Sequence, residues 1–246
     1  MGVGEHSPPG PGSALRRRDL IRLMAGAACD VANAAELAKL QPADEASRDQ
    51  GLVALLEKVS RLTTHRNSGG LEDLMLPTFR VEFDAGKGPA AFRKRWHPES
   101  ASSPLWQVME RLFALGGTFY SDTLFALPYV YTRFPGDLDP LAHVVALTAD
   151  TRLLDRPGQD AGLVATLDHA IIPLAQRLSP PVTMSAGGYL EVKVPRAGWC
   201  FVRESDVYSP AAHRAFFEKR QGQWRWISLA AATLKDPPIP KGTVNG

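Results

Sequence analysis

The chain has 246 residues, of which 44% are hydrophobic and 22% are charged, which is ordinary for a soluble globular protein. Lys and Arg number 28 against 26 Asp and Glu, so the formal net charge is only +2. The basic residues are spread along the chain apart from one N-terminal cluster, whereas nucleic-acid binders concentrate them on one face. No stretch approaches the ~20 consecutive apolar residues of a membrane-spanning helix. Neither nucleic-acid binding nor a transmembrane segment is therefore expected.

The N-terminus resembles an export signal. Within residues 16–22, two adjacent arginines are followed by one further residue, two apolar residues and a basic one, which is the order of the twin-arginine motif. Ala32 and Ala34 then give the small-x-small form that signal peptidase prefers. We predict that residues 1–34 are an export signal and that the protein is periplasmic or secreted.

Other interpretations of this segment stay open. Leu20, Leu23, Met24 and Ala27 are also spaced as on one face of an amphipathic helix, and the protein would then be cytoplasmic. Cys29 follows small residues as a lipid-attachment cysteine does. Cys200 is the second of two cysteines, and neither has a CxxC partner, so the sequence indicates no cysteine zinc site and no thioredoxin-type motif.

Residues 35–140 are predicted to be a mainly helical domain with a short β element. Apolar residues at three- and four-residue intervals between Leu52 and Leu62 indicate a helix that ends at the Asn-Ser-Gly-Gly segment 67–70. Residues 78–83 alternate like a strand, and a short helix is expected from Ala90 to Trp96. A clearer helix should follow Ser103 as N-cap and end at the glycines 116–117.

Residues 35–140 give only weak indications of a catalytic or ligand-binding site. The Gly-Lys-Gly-Pro segment 86–89 lacks the spacing of a phosphate loop, and its proline removes a backbone N–H that such a loop would use. His97 and Glu99 stand close together, but no second histidine lies at metal-ligand spacing. We expect the following aromatic residues to be core rather than a ligand cage: Trp96, Trp106, Phe119, Tyr129 and Tyr131.

The pattern changes to short β-type runs after the Pro- and Asp-rich turn 136–140, which is the best candidate for a domain boundary. Strands are predicted near residues 144–147, 151–154, 163–167, 170–174, 189–194 and 198–202. A hairpin follows, with a Gly-containing loop at 221–223. The fold class is therefore α+β, with residues 141–235 as a small barrel plus hairpin and residues 236–246 as a tail.

The barrel segment resembles bacterial SH3-like (SH3b) domains. The residues that carry the likeness occur in the family's order: Thr151-Arg152-Leu153, Arg156-Pro157-Gly158, 163–167, 189–194 and Gly198-Trp199 through Val207. The whole chain also resembles a group of exported bacterial proteins of unestablished function that share this layout. The resemblance implies a β-barrel, extended here by the C-terminal hairpin, and binding of a peptide, in bacteria often a peptide of the peptidoglycan.

Two functions remain for the structure to separate. The first is a non-catalytic binding protein that uses surface aromatics, for which the candidates are Tyr189, Trp199, Tyr208 and Trp224. The second is an envelope hydrolase with a site around His97 and Glu99, joined by Asp84 or Asp122. Cys200 with His213 or His169 is a weak further candidate, because a cysteine in a predicted strand is more often a small core residue. No cofactor is indicated.

Overall fold

The structure, a computed structural model, describes residues 37–81, 86–184 and 187–231. The predicted export signal at 1–34 and the tail at 236–246 lie outside the described residues. Within these ranges no helix combines the length and the apolar character needed to cross a membrane. The fold is a mixture of helices and small antiparallel sheets, in agreement with the α+β class at this level.

The helices lie in the first half of the described chain. They are α1 (Gln50–Thr64), α2 (Ser68–Glu72), α3 (Gly88–Trp96), α4 (Leu105–Leu115) and α5 (Tyr129–Thr132). Two 3₁₀ turns occupy Ala46–Arg48 and Glu204–Asp206. The strands are β1 (Thr118–Ser121), β2 (Leu124–Leu127), β3 (His143–Ala146), β4 (Thr151–Leu154), β5 (Leu163–Leu167), β6 (Ile171–Pro173), β7 (Tyr189–Val194), β8 (Gly198–Arg203), β9 (Val207–Tyr208), β10 (Arg214–Arg220) and β11 (Gln223–Ala230).

Helix α1 begins because Asp49 caps it, its carboxylate accepting hydrogen bonds from the backbone N–H groups of Gly51 at 2.9 Å and Leu52 at 3.1 Å. The expected end of this helix at residues 67–70 is wrong. The helix ends at Thr64, and the Asn67 side chain instead accepts from the N–H of Gly70 at 2.8 Å and so caps α2.

Helix α4 lies where it was predicted, except that it begins one residue later, with Pro104 rather than Ser103 as its N-cap. The Ser103 hydroxyl accepts from the N–H of Leu105 at 3.3 Å and donates to the carbonyl of Trp96 at 2.6 Å, which fixes the helix start against the end of α3. Gly116 ends the helix with a φ of +69°, a left-handed region that a residue with a Cβ rarely adopts.

The strand predicted at 78–83 is not among the strands of the structure. Arg80 makes only isolated bridges, one to Lys87 and a parallel one to Ser228. Residues 82–85 lie outside the described part of the chain.

The strands of the second half lie where the alternating pattern predicted them. They form a four-stranded sheet in the order β5-β4-β8-β7 and a three-stranded sheet in the order β6-β3-β9. An isolated bridge from Leu174 to Val192 links the end of β6 to β7. None of the sheets in the described ranges closes into a barrel.

The C-terminal hairpin lies elsewhere than the sequence suggested. Its first strand, β10, pairs with β2 in the order β1-β2-β10-β11, with Phe217 opposite Phe125 and Ala215 opposite Leu127. The hairpin therefore extends a sheet of the preceding region. The physical reason is that β2 is a buried strand with a free edge, and this apolar hairpin can cover it.

The largest core lies between the helices and this sheet. Trp226 is its centre, with ring centroids 4.8 Å from Phe79 and 6.4 Å from Phe217. The aromatic residues expected in the core are buried, except that Phe119 is only partly buried. The inward side chains of the β5-β4-β8-β7 sheet, such as Val192 and Val202, are also buried.

Candidate functional site

One exposed surface is built by the alternation of the β7–β8 hairpin. Residues opposite each other in an antiparallel pair share a face of the sheet. Tyr189 lies opposite Arg203, and Lys193 lies opposite Trp199. The side chains at the alternate positions of the two strands, such as that of Cys200, point to the opposite face and are buried.

Strands β4 and β5 continue this surface. Leu154 lies opposite Phe201 of β8 on one side and opposite Leu163 of β5 on the other. A register shift at Leu153 and Leu154 turns Leu163 to the outside, next to Leu154. We call this surface the Trp199 face; its accessible members are Arg152, Leu163, Tyr189, Glu191, Lys193, Trp199, Phe201 and Arg203, whereas Leu154 on the same side is only 3% exposed.

The Trp199 face carries apolar groups in contact with solvent. Trp199 is 57% exposed and Leu163 is 54% exposed, and among the described residues only Tyr120, on β1, is another exposed large hydrophobic side chain. The ammonium group of Lys193 lies 5.4 Å from the centroid of the Trp199 ring, a cation–π contact that restricts the indole while leaving much of it accessible.

The charge on this face is predominantly positive. Arg152, Lys193 and Arg203 are exposed cations, and Glu191 is the single carboxylate among the members of the face. In the described part of the chain none of these three cations forms an ion pair with a carboxylate. The face therefore combines exposed apolar side chains with cations that have no carboxylate partner among the described residues.

The four predicted ligand residues divide into two pairs. Tyr189 and Trp199 share the Trp199 face. Tyr208 is only 4% exposed, and its hydroxyl donates to the carbonyl of His213 at 2.6 Å; burial raises the pKa of this phenol. Trp224 is 6% exposed and packs with its edge against Phe119, with centroids 5.9 Å apart. The structure does not bring Tyr208 and Trp224 to a surface where a ligand could stack on them.

The other members of the face were not among the residues predicted to bind a ligand. Trp199, Phe201 and Arg203 follow one another at two-residue intervals, so the strand period alone puts them on one side. Leu163 and Arg152 could not be joined to them from the sequence, because that requires the register between β4 and β8.

Cys200 lies in the core and is not placed for catalysis. Its side chain is fully buried on the inner side of β8, and burial raises the pKa of its thiol. A nucleophilic cysteine needs exposure and a lowered pKa, so the environment of Cys200 is the opposite of a reactive one. His213 is likewise buried, and burial first, then the charges of Arg95 and Arg214, lower its pKa to about 4.

The alternative site around His97 is open to water. Nδ1 of His97 lies 3.7 Å from Oε1 of Glu99, and both side chains are about two-thirds exposed at the end of α3. Asp122 lies in the exposed turn between β1 and β2, and Asp84 lies outside the described residues. A solvated pair of this kind lacks the desolvation that tunes catalytic acids and bases.

Two clefts lie away from these candidates. One, of about 550 Å³, is at the β10–β11 turn and is lined by Leu76, Arg220, Gln221, Gln223 and Arg225. The other, of about 430 Å³, lies beside α1, with Leu56 and Phe113 among its lining residues. In the described ranges no three His, Cys, Asp or Glu side chains gather as a metal site.

Comparison with known proteins adds no relative to this picture. The sequence matches no protein-family model, and no curated protein shows detectable similarity to it.

Proposed function

We propose that the protein is a non-catalytic binding protein of the bacterial envelope that holds an extended peptide across the Trp199 face. The observation that carries this proposal is the joint exposure of Trp199 and Leu163 on one face of one sheet. Soluble proteins rarely leave large apolar groups clustered at the surface without a use for them.

The geometry of the face suits an extended chain. Side chains two residues apart on a strand are separated by roughly 6.5–7 Å, and alternate side chains of an extended peptide have the same spacing. Such a peptide could place one side chain against Trp199 and the next against Phe201 and Leu163. The outer edge of β7 is already partly used, because the N–H of Ala175 donates to the carbonyl of Glu191 at 2.9 Å. Recognition through side chains on the face is therefore favoured over strand addition at this edge.

We further propose that residues 141–208 form an SH3-like domain. Support comes from the order of the short strands and from the bridge that joins the two small sheets at Leu174 and Val192. The resemblance to SH3b domains suggests peptidoglycan peptides as the ligand class. The basic N-terminal segment suggests export to the compartment where such peptides occur.

Binding is tested by sedimentation of the purified protein with purified peptidoglycan. Wild-type protein should sediment with the wall, and Trp199→Ala should weaken binding by about tenfold or more, because aromatic anchors carry most of the energy of such surfaces. Tyr120→Ala is the matched control, since it removes an exposed aromatic side chain from a different sheet. Absence of wild-type sedimentation, or equal loss in both variants, would rule out the proposal.

Export is tested separately by fractionation of cells that express the full chain. A double substitution of Arg17 and Arg18 by Lys should hold the protein in the cytoplasm, whereas Arg152→Lys, a change of the same kind elsewhere in the chain, should not. Cytoplasmic retention of the unaltered chain would remove the export proposal and leave the binding proposal standing.

A further inference from the structure

We infer that Arg152 and Arg203 bind a carboxylate of the ligand, so that the Trp199 face selects acidic peptides. This inference rests on the proposed function and specifies its ligand. It is carried by the strand register, which puts Arg152 and Arg203 on one face, and by the lack of a carboxylate paired with either of them among the described residues.

The register brings Arg152 and Arg203 to one row of the sheet. Leu154 pairs with Phe201 in an antiparallel arrangement. Arg152 and Arg203 each lie two residues from this pair, in opposite directions along antiparallel strands, and so fall side by side on the same face. Like charges in neighbouring strands repel each other, so this arrangement is unfavourable unless an anion lies between them.

Some surface cations of the protein are paired with carboxylates, whereas others in the described ranges, such as Lys94 and Arg225, are not. Lys39 pairs with Asp168 at 2.6 Å, Arg177 with Asp139 at 2.7 Å and Lys219 with Asp49 at 2.7 Å. Within the described residues, Arg152 and Arg203 have no such carboxylate. Positive charge that no carboxylate of the described residues neutralises therefore lies on the same face as the exposed Trp199 and Leu163.

The neighbours of the pair complete an anion site of defined chemistry. Tyr189 lies opposite Arg203, so a tyrosine shares this row with the two arginines. The next row contains Phe201 and the exposed Leu163 as its accessible apolar residues, with Glu191 at its end opposite Phe201. A ligand that fits this face is an extended peptide with a carboxylate for the arginine row and an apolar side chain for the next row. The two groups would be about 7 Å apart, which is the distance between residues i and i+2 of an extended peptide. Guanidinium groups bind carboxylates through paired, charge-assisted hydrogen bonds, which gives the site specificity as well as attraction.

The closing experiment measures sedimentation with two preparations of peptidoglycan. Both are first treated with hydrofluoric acid to remove phosphate polymers, and one is then converted to amides at its free carboxylates with carbodiimide and ammonia. Wild-type protein should bind the native wall at least about tenfold more tightly than the amidated wall. Arg152→Gln and Arg203→Gln should each lose most of this preference.

The control variant is Arg225→Gln, which removes the same charge from the exposed side of β11. It should keep the preference of the wild type. Equal binding of the wild type to both walls, with Trp199→Ala still defective, would overturn the carboxylate inference while leaving peptide binding intact. Equal losses in Arg152→Gln, Arg203→Gln and Arg225→Gln would show unspecific attraction and would also overturn it. Wall that has not been treated with hydrofluoric acid is a third preparation. Binding to it alone would assign the site to phosphate and overturn the carboxylate inference, and binding to none of the three would overturn both proposals.

Discussion

The two four-stranded sheets of this protein use their aromatic residues in opposite ways. In the β1-β2-β10-β11 sheet, Trp224 and Trp226 of the terminal strand are buried, since α1 packs against β11. In the β5-β4-β8-β7 sheet, Trp199 of the hairpin is 57% exposed. A tryptophan on a hairpin therefore does not by itself indicate a binding site. What distinguishes the two is whether a second layer of structure covers the face.

The largest expected effect is on the free energy of unfolding, which should distinguish a buried core tryptophan from an exposed one. Trp226→Ala removes a fully buried ring from the centre of the core and should lower the free energy of unfolding by about 3–5 kcal/mol. Trp199→Ala removes an exposed ring and should change it by less than about 0.5 kcal/mol. Urea denaturation followed by circular dichroism measures both. A large loss of stability in Trp199→Ala would mean that this ring serves the fold.

The second prediction concerns acid sensitivity near the covered sheet. His213 is buried beside Trp96, with ring centroids 5.1 Å apart, and its pKa is lowered to about 4 from an ordinary value near 6.5. Above pH 6.5 the histidine is neutral in both states and has no effect. As the pH falls from 6.5 to 4, this histidine becomes protonated in the unfolded chain but stays neutral in the folded protein. The free energy of unfolding therefore decreases, by up to about 3 kcal/mol.

Denaturation midpoints measured between pH 7 and pH 4 test this window. In His213→Gln, the denaturation midpoint should depend less on pH between pH 6.5 and pH 4, even if the substitution lowers the stability at pH 7. His97→Gln is the control, since His97 is exposed, and it should follow the wild type. An unchanged slope in His213→Gln would mean that other groups cause the acid sensitivity.

A smaller effect is expected where the helical layer is joined to the hairpin. Asp49 caps α1 and also accepts from Nζ of Lys219 at 2.7 Å, and this hydrogen bond is the main reason that its pKa is lowered to about 2. Its stabilising contribution is present above about pH 4 and is lost as the pH falls towards 2. Asp49→Asn keeps a capping group but removes the charge, so it should lower the melting temperature at pH 7 less than Asp49→Ala does.

The corresponding measurement is thermal unfolding of both variants at pH 7 and pH 2. The difference between the wild type and Asp49→Asn should shrink at pH 2, where the wild-type carboxylate is itself partly protonated. Lys219→Met should reproduce the loss of Asp49→Asn at pH 7. Additive losses in the double variant would show that the two side chains act independently.

The same two sheets show how far the sequence could predict this molecule. Strands β3 to β8 were predictable because alternating apolar residues and turn residues are local signals. The partner of the C-terminal hairpin was not predictable, because pairing with β2 depends on contacts about 90 residues apart in the chain. For the same reason the sequence could nominate Trp199 but could not distinguish it from Trp224, since both are tryptophans on short hairpins.

Tryptophan fluorescence should distinguish the exposed Trp199 from the buried tryptophans without disturbing the fold. The chain has five tryptophans, and Trp96, Trp106, Trp224 and Trp226 are all buried, whereas Trp199 is not. Iodide, which cannot enter the core, should therefore quench one component of the emission, and Trp199→Phe should remove that component. Bound wall peptide should protect the same component in the wild-type protein, because the ligand is proposed to cover the Trp199 face. Quenching that persists in Trp199→Phe would show that a second tryptophan is accessible and that the covered sheet is more open than the structure shows.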